Sequence, residues 1–326
     1  MTTSFFGDEQ VSKRRQSLLS PLTPPQPLAI APRRIHPDTR PAFIHLRVGS
    51  LERVVPIYRD VLGLQVIHLM NQQVVLGVTG RNLVVLQELP QGKRYRGVCG
   101  LYHFAILLPD RRALARAIAR LFALRYPNYP TDHIMTKTTY LEDPEGNQIE
   151  LYCESPEDGI FALQNGDFFA RRSDGTWSDG REALDVEALF AHLNKADRLD
   201  EPLPPQTVIG HFHLHVADLE QTRRFYHEQL GFDDMGVAPR FRMGMVSAGG
   251  YHHHIGYNTW QGEGAPPAPL DALGLAAIAF LLPNRKAWKI FCERLKETSL
   301  PYEWQGEGIL ISDPSGNEVL FLPPLS

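Results

Sequence analysis

The chain has 326 residues, of which 43% are hydrophobic and 21% are charged, the balance of a globular protein long enough for two domains. A formal net charge of −4 and a pI near 6.4 argue against nucleic-acid or membrane-surface binding, and no apolar run could span a bilayer. The three isolated cysteines, Cys99, Cys153 and Cys292, have no metal or redox spacing and favour a reduced, cytoplasmic location.

The first forty residues are rich in Pro, Arg and Ser and show no hydrophobic periodicity. Such a segment buries too little apolar surface to order itself, and it lacks the apolar core of a secretion signal. We therefore predict a flexible N-terminal extension over residues 1–40.

The rest of the sequence contains a duplication. The matching segments are HLRVGSLERVVPIYRDVLGLQV (45–66) with HLHVADLEQTRRFYHEQLGFDD (213–234), GLYHFAILLPDRRALARAI (100–118) with GLAAIAFLLPNRKAWKIF (274–291), and YLEDPEGNQIELY (140–152) with ILISDPSGNEVLFL (309–322). Each copy holds two modules, and each module reads as a strand, an amphipathic helix and several further strands. The four predicted modules cover roughly 43–90, 101–153, 209–257 and 273–322.

Three boundaries follow from this repeat. Modules one and two are expected over 41–155, a linker with one short helix at 185–193 over 156–206, and modules three and four over 207–326. Two equivalent helices are predicted at 50–63 and 218–231, the second with Asp218 as its N-cap.

Strand alternation predicts which side chains face a pocket. In 102–108, the Phe104 side of the strand suits the helix and leaves His103 on the opposite face. In 148–153, the same argument places Glu150 opposite Ile149. A histidine and a carboxylate of module two should therefore project to one side.

The duplication distinguishes these two residues from ordinary polar residues of the protein surface. A lone strand histidine is usually hydrogen-bonded or solvated, and a glutamate near a strand end is usually exposed. In module four, however, the positions of His103 and Glu150 hold Ala277 and Leu320. Two polar residues that are lost together suggest a shared partner, which favours metal ligation.

Register supplies a third ligand, because His211 lies seven residues before Asp218 as His103 lies seven before Asp110. His45 instead matches His213, which is displaced by two residues, or about 6–7 Å of strand. The predicted ligands are therefore His103, His211 and Glu150. Two imidazoles and a carboxylate with open positions are typical of non-haem Fe(II) oxygen chemistry.

Four linked motifs, GLYHFAILLPDR, DPEGNQIELY, IGHFHLHVADL and AGGYHHHIGYNTW, resemble those of the vicinal oxygen chelate superfamily, in its catechol 2,3-dioxygenase (extradiol) branch. The resemblance covers about residues 41–323. It implies an α+β fold of four βαβββ modules, of the glyoxalase/bleomycin-resistance/extradiol dioxygenase type, paired into two cups. It also implies Fe(II), cleavage of a catechol with O2, and a homo-oligomer.

The resemblance also assigns residues. His103, His211 and Glu150 fall on the iron ligands, His253 on an acid/base histidine, and Tyr140 on a tyrosine that contacts the substrate. His133 is expected to assist Tyr140 in hydrogen-bonding the bound oxygen, although its spacing departs by two residues from the family pattern. Alternation predicts that His253 faces the site while His252 and His254 face away.

One departure from the familiar two-domain extradiol enzymes predicts the arrangement of the modules. Those enzymes take all three ligands from the C-terminal half, whereas here module four has lost two of them. The ligands can meet only if module two pairs with module three across the linker, with module one beside module four.

Several alternatives remain open at this stage. The same ligands accept Mn(II), and the substrate could be a hydroquinone instead of a catechol. A glyoxalase-type isomerase would need a carboxylate from each module of its site, and the last strand of module three, YHHHIGYN, has none. A metal-free binding module would have no use for the triad.

Overall fold

The computed structural model describes residues 34–164, without the side chain of Gln164, and residues 167–324. Most of the extension predicted at 1–40 lies outside the described residues. The part that is described, from Arg34, leads into the first strand, which begins at Arg40.

The first half of the chain forms modules one and two. The elements of module one are β1 (Arg40–Val48), α1 (Leu51–Pro56), β2 (Gln65–Met70), β3 (Gln73–Val78) and β4 (Arg81–Glu88). Those of module two are β5 (Gly100–Leu107), α2 (Arg111–Ala123), β6 (Tyr129–Asp132), β7 (Thr136–Glu142) and β8 (Gln148–Glu154).

The segment between the halves holds β9 (Gly159–Gln164), β10 (Asp167–Arg172), β11 (Trp177–Ser178), β12 (Glu182–Ala183) and α3 (Val186–Phe190). This is more structure than the single short helix predicted there. β9, β10 and β11 form a separate antiparallel sheet, and β12 joins the edge of module two by pairing with β6.

The second half repeats the plan of the first. Module three contains β13 (Val208–His215), α4 (Leu219–Arg223), β14 (Asp233–Ala238), a short 3-10 turn (Pro239–Phe241), β15 (Met243–Ser247) and β16 (Ile255–Asn258). Module four contains β17 (Gly274–Leu281), α5 (Arg285–Thr298), β18 (Glu303–Gln305), β19 (Gly308–Ser312) and β20 (Glu318–Leu322). None of the helices in the described part of the chain is long and apolar enough to cross a membrane.

The order of the strands confirms the exchanged pairing of modules. One sheet of nine strands runs β12-β6-β7-β8-β5-β13-β16-β15-β14 and joins modules two and three through β5 and β13. The other, of eight strands, runs β18-β19-β20-β17-β1-β4-β3-β2 and joins modules one and four through β1 and β17. The predicted α+β plan of four paired modules is therefore confirmed.

The helices of modules one and three end in a way that their hydrophobic periodicity does not predict. After Pro56 and after Arg223 the backbone continues as a π-helix, over Ile57–Val61 and Arg224–Gln229. Proline is not the cause, because the second copy has none in this helix. In both copies a glycine with positive φ, Gly63 or Gly231, ends the segment, a conformation that favours glycine.

Each π-helix positions a buried tyrosine against the turn of the other module in its half. Tyr58 donates a hydrogen bond to Oδ2 of Asp143 over 3.1 Å, and Tyr226 donates one to Oδ2 of Asp313 over 3.2 Å. Both aspartates belong to the repeated DPxGN turn. The duplication thus preserves a structural contact as well as a sequence.

Removal of either hydroxyl is expected to destabilise the protein. Tyr58→Phe and its matched counterpart Tyr226→Phe should each lower the free energy of unfolding by about 1–3 kcal/mol, because a buried hydrogen bond to a carboxylate is lost. Urea unfolding of the two variants and the unaltered protein measures this. A loss in only one of the two variants would contradict the equivalence of the two contacts.

Candidate metal centre

Strand register aligns the candidate ligands across the nine-stranded sheet. One row of paired positions contains Tyr140 on β7, Glu150 on β8, Ala105 on β5 and His211 on β13. Paired residues of neighbouring strands project to the same face, so these four side chains share one surface. Ala105, the smallest, leaves open the space between Glu150 and His211.

The next row of paired positions contains the third candidate ligand, His103. It contains Gln148, His103, His213, Gly256 and Met245, on β8, β5, β13, β16 and β15 in turn. The opposite face of these strands carries Phe104, Phe212 and Ile149, which are fully buried in the core as alternation predicts. The predicted faces of β5 and β8 are therefore confirmed, and β13 follows the same alternation.

The structure brings His103, His211 and Glu150 together. Nε2 of His103 lies 3.3 Å from Nε2 of His211, and Oε2 of Glu150 lies 3.3 Å from the first and 3.0 Å from the second. All three side chains are buried, with 5%, 3% and 3% of each residue exposed. Three such donors this close to one another form a group able to hold a metal ion.

The three separations between donor atoms fit one divalent cation bound by all three residues. An octahedral ion bound at about 2.1 Å has adjacent ligand atoms about 3.0 Å apart, close to the three separations observed. Two imidazole nitrogens that face each other with no proton between them repel unless a cation lies between them. The residues present therefore fit a divalent metal with open coordination positions on its cavity side.

The protonation states also suit ligation. Burial lowers the pKa of His211 to about 4, so its ring is neutral near pH 7, the charge state in which an imidazole binds a metal. Burial alone would raise the pKa of Glu150, but His211 and His103 hold it well below its usual value. The other carboxylate oxygen, Oε1, accepts a hydrogen bond from Thr138 over 2.8 Å, which fixes its orientation.

Tyr140 and His133 form a pair beside the triad. The hydroxyl of Tyr140 lies 2.8 Å from Nε2 of His133, and Nδ1 of His133 contacts the backbone oxygen of Gly180. Because that oxygen can only accept, Nδ1 is the protonated nitrogen and Tyr140 donates to Nε2. Burial raises the pKa of Tyr140 well above its usual value, so it remains a phenol.

His253 also lies at the site, as predicted, with its ring centroid 4.2 Å from that of His211. Burial lowers its pKa well below the usual value, which leaves the ring neutral. The prediction that His252 faces away is wrong, because His252 lines the same cavity. Residues 251–254 precede β16 and are not a strand, so side-chain alternation does not apply to them.

A cavity of about 580 Å³ opens over the triad. Sequence reasoning missed part of its wall, because Phe161, Phe168 and Arg181 come from the segment interpreted as a linker. Phe168 also packs in a small apolar cluster with Met243 and Met245 of module three. The adjacent phenylalanines in GDFFARR are the sequence feature that could have indicated that this segment packs on an apolar surface.

The eight-stranded sheet has the same row without its polar residues. Leu310 pairs with Leu320 and Leu320 with Ala279, in the places of Tyr140, Glu150 and Ala105. His45 pairs with Ala277 as His213 pairs with His103, which confirms that His45 corresponds to His213 and not to His211.

This equivalence suggests a test of the space above Ala105. Ala105→Leu should abolish metal retention without removing any ligand, since the added carbons occupy the space between Glu150 and His211. Ala279→Leu is the matched control: it adds the same volume at the same fully buried position of the other sheet. Metal content after gel filtration measures the difference, and equal retention in both variants would contradict this assignment.

Comparisons with known proteins agree with this geometry. The family model described as Glyoxalase/Bleomycin resistance protein/Dioxygenase superfamily matches residues 40–151 and 208–321. A catechol-2,3-dioxygenase from Bacillus subtilis (strain 168) is 37% identical over 292 residues, covering 88% of this chain and 99% of that protein.

Two solved structures show the same fold. A Bacillus subtilis structure assigned as a dioxygenase superposes with a TM-score of 0.58 at 13% identity, covering 91% of this chain and 87% of the other. A single-residue mutant of glyoxalase I from Zea mays gives a TM-score of 0.50 at 16% identity, covering 87% and 94%.

Proposed function

The chain belongs to the glyoxalase/bleomycin resistance protein/dioxygenase superfamily, in its catechol 2,3-dioxygenase branch, and from this membership we propose that it cleaves the ring of a catechol beside the diol. The proposed cofactor is a non-haem Fe(II), and the co-substrate is O2. The observation that carries the proposal is the convergence of Nε2 of His103, Nε2 of His211 and Oε2 of Glu150 beneath an open cavity.

His103, His211 and Glu150 would hold the metal. When bound, Fe(II) would lower the pKa of a coordinated catechol hydroxyl and allow the diol and O2 to react while adjacent. The chain itself supplies two imidazoles and one carboxylate from the protein side, which leaves the cavity side for small molecules.

The other residues of the site would transfer protons and orient the substrate. His253, neutral and beside His211, would accept a proton from a substrate hydroxyl and return it later. Tyr140, held by His133, would accept a hydrogen bond from a substrate hydroxyl at its phenolic oxygen and so orient the ring. Apolar side chains such as Phe168 and Met245 would keep bulk water from the reacting ring.

One register position argues against a glyoxalase-type isomerase. The residues that occupy the place of Glu150 in modules one, three and four are Val85, Gly256 and Leu320. Of these, Gly256 lies in the sheet of the triad, where a four-ligand site would need its second carboxylate. A Cβ built on Gly256 would lie 3.1 Å from the ring of His213, so even a small side chain would be crowded there.

Anaerobic reconstitution tests the proposal. The purified protein, loaded with Fe(II) and given catechol, should consume O2 in proportion to substrate and form a yellow ring-fission product. A parallel sample with Mn(II) identifies the metal, and one with hydroquinone tests cleavage of a 1,4-diol. Absence of O2 uptake with every diol and both metals would overturn the assignment.

A further inference from the structure

Glu154, like Glu150, is a carboxylate that one copy of the repeat contains and the other lacks. It lies four residues further along β8, on the same face of that strand, and its equivalent in the second copy is Pro324. A carboxylate is thus present at the end of the strand that bears Glu150 and absent from the duplicated one. The function described above makes no use of it.

A chain of short contacts connects Glu154 to the catalytic cavity. Nε2 of His252 lies 3.3 Å from Oε1 of Glu154, and Nδ1 of His252 lies 2.7 Å from Nδ1 of His253. The hydroxyl of Tyr251 also donates to Oε1 of Glu154. His253 lines the cavity and contacts His211, so the chain of contacts runs from Glu154 through His252 and His253 to the candidate metal ligand.

The charge on Glu154 determines where the ring protons lie. Hydrogen bonds from His252 and Tyr251 outweigh burial and lower the pKa of Glu154, so the group is a carboxylate that can only accept. The facing nitrogen, Nε2 of His252, must then carry the proton. Two ring nitrogens only 2.7 Å apart need one proton between them, and with the proton of His252 already directed at Glu154, the proton between the two Nδ1 atoms belongs to His253.

The consequence falls on the last atom of the chain. With its one ring proton on Nδ1, directed at His252, His253 has an unprotonated Nε2, the nitrogen that remains for a molecule in the cavity. We propose that Glu154, acting through His252, fixes this tautomer of His253 and so positions its Nε2 lone pair to accept a proton from substrate. Glu154 is thus a positioning residue, and the role rests on the proposed ring-cleavage function.

Kinetics of Glu154→Leu and Glu154→Gln test the proposal. Glu154→Leu should lower kcat about 10- to 100-fold with little change in KM or iron content, as the loss of an orienting partner does. Glu154→Gln should lose less, because its amide oxygen can still accept from His252. Glu157→Leu, which removes a carboxylate that pairs with Arg111 instead, is the control and should leave kcat unchanged.

A double variant separates positioning from a general structural effect. In a His253→Asn background, Glu154→Leu should change kcat less than about twofold, because the residue it positions is already absent. The same loss in both backgrounds would overturn the proposal.

Nitrogen-15 NMR of the histidine-labelled, metal-free protein gives a reading independent of activity. His253, identified by its absence in the His253→Asn spectrum, should carry its proton on Nδ1, and Glu154→Leu should move part of it to Nε2. An unchanged tautomer in Glu154→Leu would refute the inference even if the enzyme cleaves catechol. If no diol is cleaved, the proposed function fails and the tautomer still decides whether Glu154 positions His253.

Discussion

His103→Ala, His211→Ala and Glu150→Ala are each expected to abolish retention of the metal and, with it, ring cleavage. The three donor atoms lie within 3.3 Å of one another in a buried setting, so removal of any one of them leaves the ion with only two of the three protein ligands. Loss of one ligand also leaves the rest less able to exclude water from the ion. We expect activity to fall at least about 1,000-fold, since removal of a metal ligand disables every step that needs the ion.

His45→Ala is the matched control for this series. His45 is the register equivalent of His213 in the other sheet, it pairs with Ala277, and no carboxylate occupies the place of Glu150 beside it. Iron content by absorption spectrometry and O2 uptake should match those of the unaltered protein. Retention of iron in His211→Ala together with its loss in His45→Ala would contradict the assigned ligand set.

His253→Asn should also produce a large effect, but on the catalytic rate alone. Asparagine preserves polarity and some hydrogen bonding, yet it cannot accept and return a proton near neutral pH. General acid–base catalysis typically contributes a factor of about 100 to 10,000, so kcat should fall by that amount. Iron content should remain unchanged, because His253 contacts His211 without belonging to the triad.

Two measurements make this prediction specific. Stopped-flow mixing of the iron-loaded variant with catechol and O2 should show slower ring opening with substrate affinity close to normal. His254→Asn is a useful comparison, because His254 is buried next to it in sequence but hydrogen-bonds to Ser247 on the far side. Equal loss of kcat in both variants would indicate a packing effect in place of proton transfer.

The duplication made much of the fold and the triad predictable from the sequence. Comparison of the two copies of the repeated sequence indicated the module boundaries. The presence of Ala277 and Leu320 at the positions of His103 and Glu150 showed that these positions do not need polar side chains for packing, which indicated a chemical role for His103 and Glu150. The exchanged pairing followed from the need to bring His211 to the same place. Each of these inferences compared one segment of the chain with another.

What the sequence did not reveal lies where such a comparison fails. The segment at 156–206 has no second copy, so its strands and their contribution to the cavity wall went unrecognised. Alternation assigned His252 to the wrong face because residues 251–254 are not extended, and only tertiary contacts show this. The π-helices at Ile57–Val61 and Arg224–Gln229 keep the same hydrophobic spacing as an ordinary helix, so periodicity alone does not reveal them.

The strand order of the two sheets has a consequence for biosynthesis. When the first half of the chain has left the ribosome, β1 and β5 still lack their partners β17 and β13, which are translated later. Open strand edges of this kind invite association with other nascent chains. Newly made protein should therefore depend on chaperones or slow expression until the second half emerges, and a product truncated near residue 155 should accumulate in inclusion bodies.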